Sequence, residues 1–207
     1  MTPLQNQQAH LNKLVDYTSK KFAVIFEGRD TAGKSSTIRE LEHYLPTSSF
    51  LTIPSNKPSR TMMKNWLSDW GEKLDQNKKL ILLDRSYYSR ALCQPINGWC
   101  TEKQYQNFMS NVIAWEKMQD ITILKFWCSI SQAEQKSRIK LREVSPLKYW
   151  KLSPNDKKAL STYDQMTIKK EAMFNLAGDW NSINFEDKQT GILKLITRMN
   201  DLIEREI

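Results

Sequence analysis

Hydrophobic positions fall into five short runs, at residues 22–26, 50–53, 80–83, 121–127 and 182–185, all but the leucine-rich third being rich in β-branched or aromatic side chains. Longer stretches with helical spacing lie between them. Strand-length runs alternating with helix-length segments predict a parallel sheet joined by crossover helices, an α/β fold. Three helix starts carry their own marks. Thr101-x-x-Gln104 and Ser131-x-x-Glu134 have the form of capping boxes, and Ser153 precedes Pro154, as a cap precedes a first-turn proline.

A chain of 207 residues is long enough for one well-cored domain, and 40% hydrophobic content excludes global disorder. Its net charge of +8 favours an acidic partner. Distribution narrows this further, because residues 136–158 hold eight basic side chains against Glu143 and Asp156. Three cysteines, with only His10 and His43 beside them as soft ligands, support neither a disulfide framework nor a zinc site. A polar start and the absence of a long apolar run give a cytoplasmic expectation, with no membrane partner.

The first run passes directly into Glu27-Gly28-Arg29-Asp30-Thr31-Ala32-Gly33-Lys34-Ser35, which fits Gly-x-x-x-x-Gly-Lys-Ser/Thr without a mismatch. Gly28 and Gly33 allow a tight loop whose amides face inward, and the next helix adds its N-terminus. Lys34 reaches terminal phosphates and Ser35 can coordinate magnesium. Arg29, Thr31, Ala32 and Ser36 complete the expected phosphate cradle. Asp30 can hold the same cation or steer an incoming nucleophile.

The third run delivers Asp84 to a strand end, followed by Arg85-Ser86-Tyr87-Tyr88-Ser89-Arg90. Ligands of open parallel sheets bind at that edge, so Asp84 is the expected second metal anchor. Arg85 and Arg90 can stabilise charge on phosphoryl oxygens. Arg138 and Arg142 stand four apart on one helix face and can point at one anion. The proline-bounded segment 143–153, with Lys148 and Lys151, is the candidate lid; Tyr149 and Trp150 within it suit either lid packing or base stacking.

Together the P-loop, Asp84-Arg85-Ser86-Tyr87-Tyr88-Ser89-Arg90-Ala91 and Pro146-Leu147-Lys148-Tyr149-Trp150-Lys151-Leu152-Ser153-Pro154 resemble the polyphosphate kinase 2 family. Lys57-Pro58-Ser59 and Leu124-Lys125-Phe126-Trp127 extend the likeness along nearly the whole chain. The resemblance implies one three-layer α/β/α P-loop kinase domain over residues 1–207, with a central parallel five-stranded sheet and a helical lid at about 138–160. It places the family's roles on Asp30, Lys34, Asp84, Arg85, Arg90, Arg138 and Lys148, and adds Lys57 to the phosphate-binding set. It also implies Mg²⁺ (or Mn²⁺) dependence, polyphosphate and purine nucleoside mono-, di- or triphosphates as partners, and a homo-oligomer, dimer or tetramer. Departures are Ser35-Ser36 for Gly-Gly, Tyr87 for Trp, Ser89 for Asn, Ser145 for Asp and Arg60 for Glu. Arg60 and Ser145 leave the preferred acceptor open.

The leading functional expectation is reversible phosphoryl transfer between polyphosphate and a nucleotide. A thymidylate-kinase-like enzyme using ATP is the alternative within enzymes. A basic nucleotide-responsive module binding nucleic acid is the alternative of another class, and nucleic acid is not the expected partner.

Overall fold

The structure is a computed structural model that describes residues 1–207, apart from the side chain of Lys151. In chain order the elements are α1 (Pro3–Tyr17), β1 (Phe22–Gly28), α2 (Lys34–Glu42), β2 (Phe50–Pro54), α3 (Arg60–Lys64), α4 (Trp66–Leu74) and β3 (Leu80–Asp84). A 3₁₀ turn at Tyr87–Arg90 leads to α5 (Cys93–Ile96), α6 (Glu102–Lys117), β4 (Thr122–Ser129) and α7 (Gln132–Val144). A second 3₁₀ turn at Tyr149–Lys151 precedes α8 (Pro154–Ala159), α9 (Tyr163–Leu176), β5 (Trp180–Asn184) and α10 (Lys188–Glu206).

All five strands are parallel and lie in the order β2-β3-β1-β4-β5. β1 is the middle strand and every one of its residues is buried, which is why residues 22–26 form a continuous apolar run rather than an alternating one. Alternation reappears in the direction each side chain takes. Phe22, Val24 and Phe26 enter a core with Leu11 of α1, Leu41 of α2 and Leu195 and Met199 of α10. Ala23 and Ile25 enter a second core with Trp66 and Trp70 of α4, Phe108 of α6 and Met173 of α9. Helices therefore cover both faces, giving the three-layer α/β/α arrangement that the family resemblance implies. Among the described residues no helix is long and apolar enough to cross a membrane.

Two sequence expectations need correction. The last strand begins at Trp180 and ends at Asn184, ahead of the expected 182–185, since Asn181 and Ser182 interrupt the apolar pattern of this edge strand. Ser131 caps α7 by accepting from the Glu134 amide at 3.1 Å, but Glu134 does not return the bond. Glu186, just after β5, takes the Ser131 amide and hydroxyl instead, and Glu134 is engaged by Arg138. The box at Thr101 and the Ser153 cap before Pro154 form as expected, and Asp156 closes the latter into a box the sequence reading did not include.

Candidate active site

The register of the central strands builds the site. Phe26 stands opposite Asp84 and Gly28 opposite Cys128, so the loop after β1 leaves the sheet beside the carboxylate that ends β3. Gly28 has φ 147°, and a Cβ there would sit 2.5 Å from the Cys128 carbonyl oxygen, so only glycine lets the chain turn so close to β4. Thr31 and Gly33 also have positive φ, at 68° and 121°. Gly33 is the N-cap of α2 and offers no side chain to the helix amides, which leaves that end suited to an anion.

Lys34 folds back over the loop, donating to the carbonyls of Gly28 (3.1 Å) and Arg29 (2.8 Å). Burial and then the nearby Arg85 cation push its pKa down, against the opposing pull of Asp30 and Asp84. Ser35, one residue on, donates its hydroxyl to Asp84 Oδ2 at 2.5 Å. A hydroxyl and a carboxylate oxygen side by side at the mouth of a phosphate loop suit a hard divalent cation that takes its other ligands from phosphate and water. Among the described residues there is no cluster of three or more His, Cys, Asp or Glu side chains able to hold a metal by themselves. The fit is thus to a metal that arrives with phosphate.

Asp30 shares this mouth, but its Oδ1 accepts from Arg85 Nη2 at 2.5 Å. Burial works to raise the Asp30 carboxyl, while Arg85 and Lys34 outweigh it and hold it below the usual carboxylate range. Behind Arg85 lies Glu27, wholly buried at the end of β1, with Oε2 at 3.5 Å from Arg85 Nη1. Sequence reading passed over this residue. Its signal was a lone acid inside an otherwise apolar strand.

Asp30 and Arg85 open into a cleft of about 420 Å³ whose further walls include Lys57, Trp99, Lys158 and Met166. The Lys57 ammonium lies 5.7 Å from the Trp99 ring centre. Ser89 and Gln94 are also on this wall, 3% and 1% exposed, and the Ser89 hydroxyl and both ends of the Gln94 amide have no hydrogen-bond partner. Cations near the loop, an aromatic and sulfur-lined end and unpaired neutral polar groups fit a ligand with a phosphate tail and a polar-edged ring.

Other expected residues take different places. The Arg29 side chain turns into α9, donating to the Tyr163 carbonyl (3.0 Å) and Thr167 hydroxyl (2.6 Å), with its guanidinium 3.3 Å from the Tyr163 ring centre. Arg138 lies behind the loop rather than over it. Its Nε donates to Glu134 (2.6 Å), Nη1 to the carbonyls of Thr31 (3.2 Å) and Ala32 (3.1 Å), and Nη2 to those of Phe185 (2.6 Å) and Glu186 (3.2 Å). Arg90 is buried against Trp66 and donates to the Met63 carbonyl at 3.2 Å. Arg142 pairs with both carboxylate oxygens of Asp156, at 3.1 and 3.0 Å, tying α7 to α8. Ser36 lies in the first turn of α2, its amide on the Gly33 carbonyl at 3.0 Å, and Ala32 is buried in the core. Lys148 is exposed in the turn between α7 and α8, and the Lys151 side chain lies outside what is described.

A parallel α/β/α sheet with a glycine loop and a strand-end Asp meeting at its carboxyl edge defines a P-loop kinase fold. The chain belongs to the polyphosphate kinase 2 family, whose profile matches residues 1–207. It is 34% identical over 195 residues to NDP-polyphosphate phosphotransferase 2 of Ruegeria pomeroyi, covering 90% of this chain and 57% of that protein. With the GDP-polyphosphate phosphotransferase of Mycolicibacterium smegmatis it shares 32% identity, covering 90% of this chain and 69% of the relative. The crystal structure of polyphosphate kinase 2 from Arthrobacter aurescens TC1 superposes with a TM-score of 0.82 at 20% identity, over 97% of this chain and 76% of the other, which agrees in fold. The chain therefore spans little more than half the length of the Ruegeria relative.

Proposed function

We propose that the protein transfers a phosphoryl group reversibly between inorganic polyphosphate and a nucleoside di- or monophosphate, with Mg²⁺. The observation that carries this reading is the Ser35–Asp84 contact at the mouth of the phosphate loop, with Arg85, the next residue after Asp84, lining the cleft together with Asp30. The printed names of the Ruegeria and Mycolicibacterium relatives, phosphotransferases acting between polyphosphate and nucleoside diphosphates, supply the substrate classes.

In this reading the inward amides of the loop and the N-terminus of α2 bind one phosphate chain, and Lys34 exchanges its bonds to the loop carbonyls for phosphate oxygens. Ser35 and Asp84 would hold Mg²⁺, with Asp30 as a further oxygen once Arg85 releases it. The cation neutralises phosphate charge when bound. Arg85 faces the transferred group, and the cleft of Lys57, Trp99 and Lys158 takes the nucleotide. Alignment and electrostatic stabilisation carry the rate, and no covalent intermediate on the chain is needed. The segment from the end of α7 to α8 would shield the reaction from water. A cytoplasmic location suits nucleotide substrates and three unpaired thiols.

The test is incubation with Mg²⁺, polyphosphate and AMP, ADP, GMP or GDP in turn, with products separated by chromatography. Formation of the next higher nucleotide supports the reading. Transfer from ATP alone, with polyphosphate inert, overturns it.

A further inference from the structure

Glu27 is the one charged residue of β1 and is wholly buried. Its two oxygens have different fates. Oε1 accepts from both the amide (2.9 Å) and the hydroxyl (3.1 Å) of Ser86, which follows Arg85 directly. Oε2 faces Arg85 Nη1 at 3.5 Å, and neither atom has a hydrogen-bond partner. Arg85 meanwhile leans the other way, its Nη2 on Asp30 at 2.5 Å.

The backbone makes Arg85 costly to hold. It has φ 60°, a left-handed conformation that is uncommon for a residue with a side chain, and its amide donates to the Phe26 carbonyl at 3.0 Å. Glu27 follows Phe26 directly, so β1 grips the strained residue and its neighbour Ser86 from one short stretch. Asp30, by contrast, sits on the loop and lines the cleft, where an incoming cation competes for it and an incoming phosphate competes with it for Arg85.

We propose that Glu27 is the fixed counter-ion of Arg85, a positioning residue that keeps the guanidinium at the loop mouth when Asp30 lets go of it. The inference rests on the proposed phosphoryl transfer for its role in rate, but the geometry that carries it is independent of the substrate. Closing the gap from Glu27 Oε2 to Arg85 Nη1 needs only a small swing of the guanidinium. That swing satisfies two buried atoms at once and leaves Asp30 free to meet the metal. Burial holds the Glu27 carboxyl above the usual carboxylate range, and Arg85, Lys34 and the Ser86 bonds offset only part of that rise.

The test is a double-mutant cycle on E27Q and R85K in the full chain. Gln can still accept both Ser86 bonds but brings no charge to Arg85. Activity is read as kcat and KM with polyphosphate and a nucleoside diphosphate, and binding of tripolyphosphate is read by calorimetry on the same four proteins. E27Q is expected to lower kcat by about 10- to 100-fold with KM nearly unchanged, and to cost less than about twofold once Arg85 is Lys. Additive effects in the two backgrounds overturn the proposal, as does an E27Q protein with kcat within about twofold of wild type. A wild type that binds tripolyphosphate but transfers nothing defeats the proposed function alone; coupling of E27Q and R85K in urea-unfolding stability then keeps the Glu27–Arg85 pairing, and additivity overturns it. Binding by none of the four defeats both. Should E27Q fail to fold, E27D carries the same cycle, since its shorter side chain cannot span Ser86 and Arg85 together.

Discussion

Ser35 and Asp84 are joined by a hydrogen bond of 2.5 Å that links the first turn of α2 to the end of β3. Neither side chain is fully buried, so little stability depends on the contact. Asp84→Asn should lower kcat on the order of 10³-fold, and Ser35→Ala about 10-fold or more, with both melting within a few degrees of wild type. Steady-state kinetics with thermal melts checks this. Near-normal turnover of the Asn variant would remove Asp84 from the chemistry.

Lys34 now bonds loop carbonyls and should trade them for phosphate. Lys34→Met is expected to weaken tripolyphosphate binding roughly 10- to 100-fold, the worth of a hydrogen bond to a charged group, and to reduce kcat further. Titration calorimetry separates the two effects. Equal affinity in the variant would mean that the ammonium never leaves the carbonyls.

Gly28→Ala places a methyl group 2.5 Å from the Cys128 carbonyl oxygen at φ 147°. The cradle must shift or the strands part, at a cost of roughly 3 kcal/mol or more. Urea unfolding measures the loss. A variant of unchanged stability and activity would contradict the close approach of β1 to β4.

Arg138 and Asp84 should behave differently when changed. Arg138→Lys loses the planar fork that spans four carbonyls, so stability and rate should fall together, stability by about 2–3 kcal/mol. Asp84→Asn should lose rate alone. Denaturation curves of the two variants make the comparison, and a stable but slow Arg138→Lys would return Arg138 to a direct role on phosphate.

Burial raises the Cys93 and Cys128 thiols from an ordinary 9.0 to about 11 and about 12. In the unfolded chain both ionise near the ordinary value, so from there to the folded values the unfolded state is favoured increasingly as pH rises. Stability is full below about pH 9 and should decline between there and about pH 12. Melting temperature against pH follows it, with Cys128→Ala flattening the curve. Alkylation of the native protein by iodoacetamide at pH 8 should be slow at both positions.

The sheet was legible because buried parallel strands must be written in apolar residues, and the cradle because its glycines and Lys34 have little freedom of spacing. Direction was not legible. Arg29 and Arg138 stand where positive charge beside phosphate is expected, yet one turns into α9 and the other reaches carbonyls 107 residues away along the chain. No local pattern encodes partners that remote. Glu27 was hidden for the same reason, since Ser86 reaches it only once β1 and β3 lie side by side. The capping partner of Ser131 comes from beyond β5, although a well-spaced Glu134 was already at hand.

The central position of β1 separates firmness from motion. The strand that carries the cradle has neighbours on both edges and packed side chains on both faces, while Leu147, Tyr149 and Trp150 stand largely in water. Amide deuteration should therefore be slowest at 22–26 and fastest near 145–150. Such a molecule can loosen its outer flap to release one compound while the floor that receives the next keeps its shape.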